Sequence, residues 1–338
     1  MRGIAIALGA AIMASTSAAA DYLVKEVGSF HVGGHTETLN GLPSKEIVFS
    51  PGAPAIKVDP NGEFEVEQMY VQFVKLAQPK SKLPLLLWHG GGLSGATWET
   101  KPDGKPGWQQ FFLNAGYDVY VSDAVERGRA SWARYPEIFK SEPFFRPKKE
   151  AWELFRIGPS YEVGGKREAF EGEQFPIEAF DQFAKQGIPR WATNDAATQK
   201  AYDALVQKVC PCIILVHSQG GNFGFNAALN APDKVKALIA VEPSGAPDPA
   251  KVDAAKVKGI PLLIVWGDFH DQHPVWPKIA ANPIKWGQAI AAAGGKVDTF
   301  DLPKMGIKGN THMLMMDRNS DEIAKLVGDW IGKQGLVN

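Results

Sequence analysis

The sequence predicts an α/β fold: a mostly parallel central sheet with helices on both faces and an inserted lid. Three observations predict it. From Lys82 onward, short apolar runs alternate with stretches of helical length, the rhythm of a parallel sheet covered on both sides. The runs 84–89, 213–217, 237–241 and 261–266 are almost continuously apolar, as strands buried on both faces must be. A block over about residues 131–190 breaks the rhythm with prolines, glycines and many aromatic residues. It is too long for a plain connection and reads as a lid.

The first twenty residues stand outside this pattern. Arg2 precedes an apolar run over residues 3–14, and Ala18, Ala19 and Ala20 precede Asp21. A positive start, a short apolar centre and small residues at the end mark a secretory signal peptide, too short to span a bilayer. The mature chain is expected to be a single domain over residues 21–338, periplasmic or secreted, with no stable membrane insertion. Residues 21–82 are rich in Gly, Pro and Thr. Within them Phe64, Val66, Met69, Val71 and Phe73 sit among polar neighbours in short alternating runs, which predicts antiparallel strands at a sheet edge. Residues 84–89 give a buried strand, 107–114 a helix and 117–123 the next strand. After the lid, 212–217 is a strand and 222–230 a helix. Strands follow at 237–242 and 261–266, then a helix at 276–293, a strand at 296–302 and a closing helix at 321–332.

The 338 residues carry 36 Lys and Arg against 37 Asp and Glu. That balance suits a globular protein with a large core and, with no basic run, excludes a nucleic-acid partner. Cys210 and Cys212 are separated only by Pro211. In an oxidising compartment they could close a small ring; two buried thiols at a strand start are an equal alternative. Nothing nearby would activate a thiolate.

The chemistry concentrates where the 212–217 strand ends. The apolar run drives into Ser218-Gln219-Gly220-Gly221, and a turn that tight pushes the serine hydroxyl outward. This is the layout of the nucleophile elbow of serine α/β-hydrolases. Gly220 fills the last glycine of Gly-x-Ser-x-Gly, and Val216 replaces the first. A serine hydroxyl needs a base, an acid that orients the base, and backbone amides where the oxyanion forms. The base must follow the last strand, and His312 is the only histidine downstream of His273. His217, beside the serine, is expected to point elsewhere by strand alternation. His89-Gly90-Gly91-Gly92 ends its strand as the oxyanion loops of esterases and lipases do, so the Gly91 and Gln219 N–H groups are the expected donors. The loop lacks the Lys-Ser/Thr ending of a phosphate cradle and the spacing of a dinucleotide fingerprint.

Two carboxylates compete for the acid. Glu242 closes an apolar strand as Val241-Glu242-Pro243, where burial demands a partner such as an imidazole. Asp271 lies in the loop after the following strand, one residue late for the common Gly-x-x-Asp spacing. His270, Asp271 and His273 also suggest a metal set, but no third distant ligand is evident for the tetrahedral geometry zinc prefers.

With these residues in place, the chain resembles a secreted bacterial serine esterase of the α/β-hydrolase superfamily over roughly residues 82–333. The segments His89-Gly90-Gly91-Gly92, Thr97-Trp98-Glu99, Glu126-Arg127-Gly128, His217-Ser218-Gln219, Val241-Glu242-Pro243 and Gly309-Asn310-Thr311-His312-Met313 carry the resemblance. They look like one subgroup, in which the acid follows the sixth strand. The resemblance therefore implies a Ser218-His312-Glu242 triad. Some relatives carry adjacent cysteines where this chain has Gly91 and Gly92, so any role of such a disulfide does not carry over. The resemblance implies hydrolysis of a small-molecule carboxylic ester, with no cofactor and no metal. It does not fix the substrate, the acyl length or the oligomeric state. An amidase, lactonase or peptidase would use the same triad. A catalytically silent ligand-binding relative would need only the lid pocket, and the intact Ser, His and acid argue against it. Ser218 excludes a haloalkane-dehalogenase mechanism, which needs an acid there.

Overall fold

Side-chain alternation along the strands decides how this molecule is layered. A computed structural model describes residues 22–337, so the signal-peptide expectation lies outside the described residues. Eight strands form the main sheet: β1 (Val24–Leu39), β2 (Gly62–Leu76), β3 (Leu85–Trp88), β4 (Val119–Asp123), β5 (Cys212–His217), β6 (Val235–Val241), β7 (Leu262–Trp266) and β8 (Val297–Asp301). Their order is β1-β2-β4-β3-β5-β6-β7-β8. β2 pairs antiparallel with β1 and β4; all later pairs are parallel.

Five longer helices cover the sheet: α1 (Trp108–Ala115), α2 (Asp195–Val209), α3 (Gly220–Asn230), α4 (Trp276–Ala292) and α5 (Ser320–Lys333). Leu86, Trp88, Ile214, Val216, Leu238 and Ile264 pack with α2, α3 and α4. Their strand neighbours Leu85, Leu87, Ile213, Leu215, Ile239 and Val265 pack with α1 and α5. Successive side chains leave a strand on opposite faces, so a strand apolar at every position needs helices on both. α2 was not predicted from the sequence. Its buried stripe is Ala197, Thr198, Ala201, Tyr202, Leu205 and Val206, of which the first three are small and read weakly as an apolar face. Cys210 and Cys212 are bridged between α2 and β5, with Cα atoms 4.4 Å apart.

Between β4 and α2 the chain makes an insertion. It holds a helix at Lys148–Leu154, a ribbon of Ser160–Tyr161 with Arg167–Glu168, and a helix at Phe180–Ala184. Trp152, Phe155, Phe175, Phe180 and Phe183 are buried and join the α1 and α5 layer, while Trp132, Phe144 and Phe145 are exposed. Most of the aromatic residues therefore fasten the insertion to the body. Backbone bonds complete the attachment: Gln174 N–H donates to Gly309 O at 2.7 Å and His312 N–H to Phe155 O at 2.9 Å. Among the described residues no helix is long and apolar enough to cross a membrane.

Candidate active site

At the end of β5, Ser218 has φ 53°, a left-handed conformation that a side chain adopts only when its surroundings enforce it. Its N–H donates to Val241 O at 3.0 Å, and its carbonyl accepts from Gly221 N–H at 2.9 Å and Ser244 N–H at 3.0 Å. The turn is thus tied to the end of β6. Gly221 is required by close approach, since a Cβ there would lie 2.7 Å from Pro243 Cβ.

The loop after β3 presses on this turn. A Cβ on Gly90 would lie 2.7 Å from His217 Nδ1 and 3.0 Å from Ser218 Cβ, and one on Gly91 3.0 Å from Gln219 Oε1. Among the described residues neither the Gly91 nor the Gln219 amide N–H is engaged by another group. Gln219 precedes the first residue of α3, where N–H groups are unpaired and the helix dipole is positive. His89 holds the loop: its Nε2 accepts from Ala124 N–H at 3.0 Å. That leaves Nδ1 to donate to Gly90 O at 2.8 Å. Burial pushes His89 down to about 4, so it stays neutral.

Glu242 follows β6 and is wholly buried. Its Oε2 accepts from His312 Nδ1 at 3.0 Å. Its Oε1 accepts from Gly267 N–H at 2.5 Å, with His270 Nε2 at 3.1 Å and Arg156 Nη2 at 2.8 Å. Burial alone would raise this carboxyl. The Arg156 charge, then His270 and the hydrogen bonds, outweigh it and hold Glu242 well below the usual carboxylate range. Arg156 is itself wholly buried. Its Nε donates to Asp268 O at 2.8 Å, and its guanidinium lies 4.4 Å from the centre of the Trp276 ring.

The His312 ring lies among Trp276, His217 and Phe155, at centroid distances of 4.4, 4.5 and 5.4 Å. Burial, opposed by Glu242, brings its pKa down to about 4. Thr311 N–H and Oγ1 and Asn310 Nδ2 all donate to the Asp317 carboxylate, which fixes the loop from behind.

One expectation is corrected. His217 does not point away from the site. It is the last residue of β5, on the same strand face as Leu215, and that face carries the His312 loop. Its ring meets that of His312, and its Nε2 donates to His312 O at 2.9 Å. The serine that follows and the histidine thus share one end of the sheet. No hydrogen bond joins Ser218 Oγ to His312 among the described residues, as in many ligand-free sites where that contact tightens only on binding.

Asp271 is exposed in a short turn and does not reach His312. His270 turns to Glu242, and His273 Nδ1 accepts from Val275 N–H at 3.3 Å. Among the described residues no group of three or more His, Cys, Asp or Glu is placed to hold a metal. Arg156 was missed from the sequence: it lies in the insertion with no motif around it, and only folding brings it to Glu242.

No family model matches the chain. The chain is 34% identical to a bacterial esterase of solved structure, with a TM-score of 0.80, over 94% of this chain and 99% of that one. It is 28% identical over 333 residues to the probable secreted lipase phiG of Fungal sp. (strain ATCC 74256), over 81% of this chain and 88% of that protein.

Proposed function

The chain belongs to the esterase family of the α/β-hydrolases, and from that premise we propose that it cleaves carboxylic esters through an acyl-enzyme carried by Ser218, His312 and Glu242. The observation that carries the reading is the 3.0 Å bond from His312 Nδ1 to Glu242 Oε2 between two buried side chains. With Nδ1 protonated, Nε2 is free to act as base. Ser218 Oγ attacks the ester carbonyl as Nε2 takes its proton. The charge that develops on the carbonyl oxygen falls to the Gly91 and Gln219 N–H groups, beside the positive end of α3. His312 then gives the proton to the leaving alcohol. Water, deprotonated by the same nitrogen, attacks the acyl-serine, releases the acid and restores Ser218. Glu242 stabilises the imidazolium that forms in each half-reaction, and Arg156 keeps that carboxylate charged and in place.

In this reading the insertion is the lid. Ala151, Phe155 and Phe183 line a small, mostly apolar cavity with Gly91 and Gly92, beside the oxyanion loop. The Cys210–Cys212 bridge and the signal-like first twenty residues support export, as does the secreted lipase among the relatives. The test is a fluorophosphonate probe on the protein from Asp21 onward, with p-nitrophenyl esters of graded length. Labelling at Ser218 and turnover of at least one ester are expected. The absence of both labelling and turnover would refute the reading.

A further inference from the structure

A second pocket opens off the oxyanion loop, lined by His89, Glu126, Arg127, Asn194, Asp195 and Gln219 among others. Two of its donors are unpartnered. Arg127 is 5% exposed, yet its Nη1 is buried without a partner, and so is Asn194 Nδ2. Glu126 Oε1 is unpartnered too, and burial raises that carboxyl to about 8. At neutral pH Glu126 therefore presents an O–H and not a charge. Asp195 is the other carboxylate of this lining, and its Oδ1 is engaged by Gln219 Nε2 at 3.0 Å. Arg190 adds a second guanidinium at the same loop. Its Nη1 lies 3.1 Å from where a Cβ on Gly91 would be, and its Nε is buried without a partner.

A buried guanidinium with an unmet N–H is costly, and an apolar side chain of similar volume would serve stability better. Burial, then the neighbouring Arg190, pull Arg127 down to about 10. Such a cost is kept when a ligand removes it. The space is about 10 Å³, room for roughly one oxygen-sized group. That suits the tip of a carboxylate and is too small for an alkyl chain. Gln219 lines it and packs against Gly91, so the spacer between the anion and the scissile carbonyl must be short.

We propose that Arg127 and Asn194 bind a carboxylate of the substrate while its ester carbonyl lies at Gly91 and Gln219, so that the substrate class is short esters bearing a carboxylate. The proposal rests on ester cleavage at Ser218. Its test is kcat/KM for monomethyl succinate, with the charge on the acyl side, and for acetoxyacetate, with the charge on the alcohol side. Each is compared with its uncharged methyl ester, in the wild type, Arg127→Met and Asn194→Asp. The wild type is expected to prefer one charged ester, and that preference should drop at least about 10-fold in each variant, the worth of a charge-assisted hydrogen bond. The preferred ester tells which side carries the anion. Asn194→Asp keeps the shape of the side chain and carries the test if Arg127→Met does not fold. No preference in the wild type, or a preference unchanged in a folded variant, overturns the proposal and leaves a water as occupant. Turnover of p-nitrophenyl esters but none of these four also overturns it. If no ester of any kind is cleaved, the esterase reading fails instead. The pocket is then judged by succinate: a rise in the wild-type Tm that is absent in the variants supports it, and no rise overturns it.

Discussion

Glu242 is held more tightly than it holds. One oxygen faces Arg156, His270 and the Gly267 N–H, which leaves the other to His312. Glu242→Gln would keep the shape and remove the charge that stabilises the imidazolium. A loss of about 10³–10⁴ in kcat is expected, against no more than a few-fold for the exposed Asp271→Asn. Measuring kcat on both variants, with circular dichroism to show folding, decides it; the reverse pattern would move the acid to Asp271. If His312 is the base as proposed, it must be neutral to act, and burial brings it to about 4, so kcat/KM should fall on acidification near pH 4 and not near 6.5. The Arg156 charge is one of the forces keeping the imidazolium down. Arg156→Met should therefore move the acid limb to higher pH as well as lower kcat. A lower kcat with the limb unmoved would reduce Arg156 to a packing role. Strand ends could be read from the sequence, which is why Ser218, His312 and the two competing acids Glu242 and Asp271 could be named from it; only the resemblance chose Glu242 between them. Arg156 could not, because its meaning arises only when the insertion folds over β6 and β7.

At the level of elements, the insertion and the loop carrying His312 fit against each other with no space to spare. Gly309 has φ +82°, and a Cβ there would lie 2.0 Å from Gly172 O, a backbone atom that cannot turn aside. Gly306 has a similar φ of +85°, with nothing within 4 Å of its Cβ position. Gly306→Ala should therefore meet only the backbone cost of about 1 kcal/mol and keep its kcat. Gly309→Ala should also push the insertion from the His312 loop, and a small displacement there is expected to lower kcat about 10–100-fold. Kinetics and melting of the pair separate the two effects. If Gly309→Ala loses stability alone, the insertion does not position His312. The existence of the insertion and its apolar anchors were legible from its composition, but the loops it bonds to were not. The bonds that fasten it run from backbone groups at Phe155, Gln174 and Gly309, and backbone groups leave no mark on residue type. β1 escaped for a related reason: it is mostly exposed, so little apolar alternation betrays it.

For the whole molecule, the fold class was legible because its parallel strands are buried on both faces and so read as unbroken apolar runs. Its response to pH was not legible, since a net charge of −1 says nothing about which groups are buried. His89 and His312 are brought to about 4, and His217 well below its ordinary 6.5, mainly by burial. The unfolded chain binds more protons than the folded one between about pH 6.5 and 4, so stability falls as pH drops through that window. Glu126 and Glu173 run the other way. Burial raises both to about 8, so the folded state keeps protons that the unfolded chain loses above about 4.5, and stability falls as pH rises from there to 8; Asp317, raised by burial to about 6, adds to this trend below that pH. The trends oppose each other up to about 6.5, and above it only the carboxyl trend remains. Tm is expected to be highest near pH 6 and to decline on both sides. Glu173→Gln isolates the alkaline arm. The Glu173 side chain is 3% exposed and accepts from Phe175 N–H at 2.5 Å, a role an amide oxygen can fill without titrating. Melting curves from pH 5 to 9 should show the variant losing about half of the decline between pH 6.5 and 8, the remainder belonging to Glu126. An unchanged decline would mean that Glu173 is already ionised in the folded protein, with Arg318 Nη1, 3.9 Å away, strong enough to offset its burial.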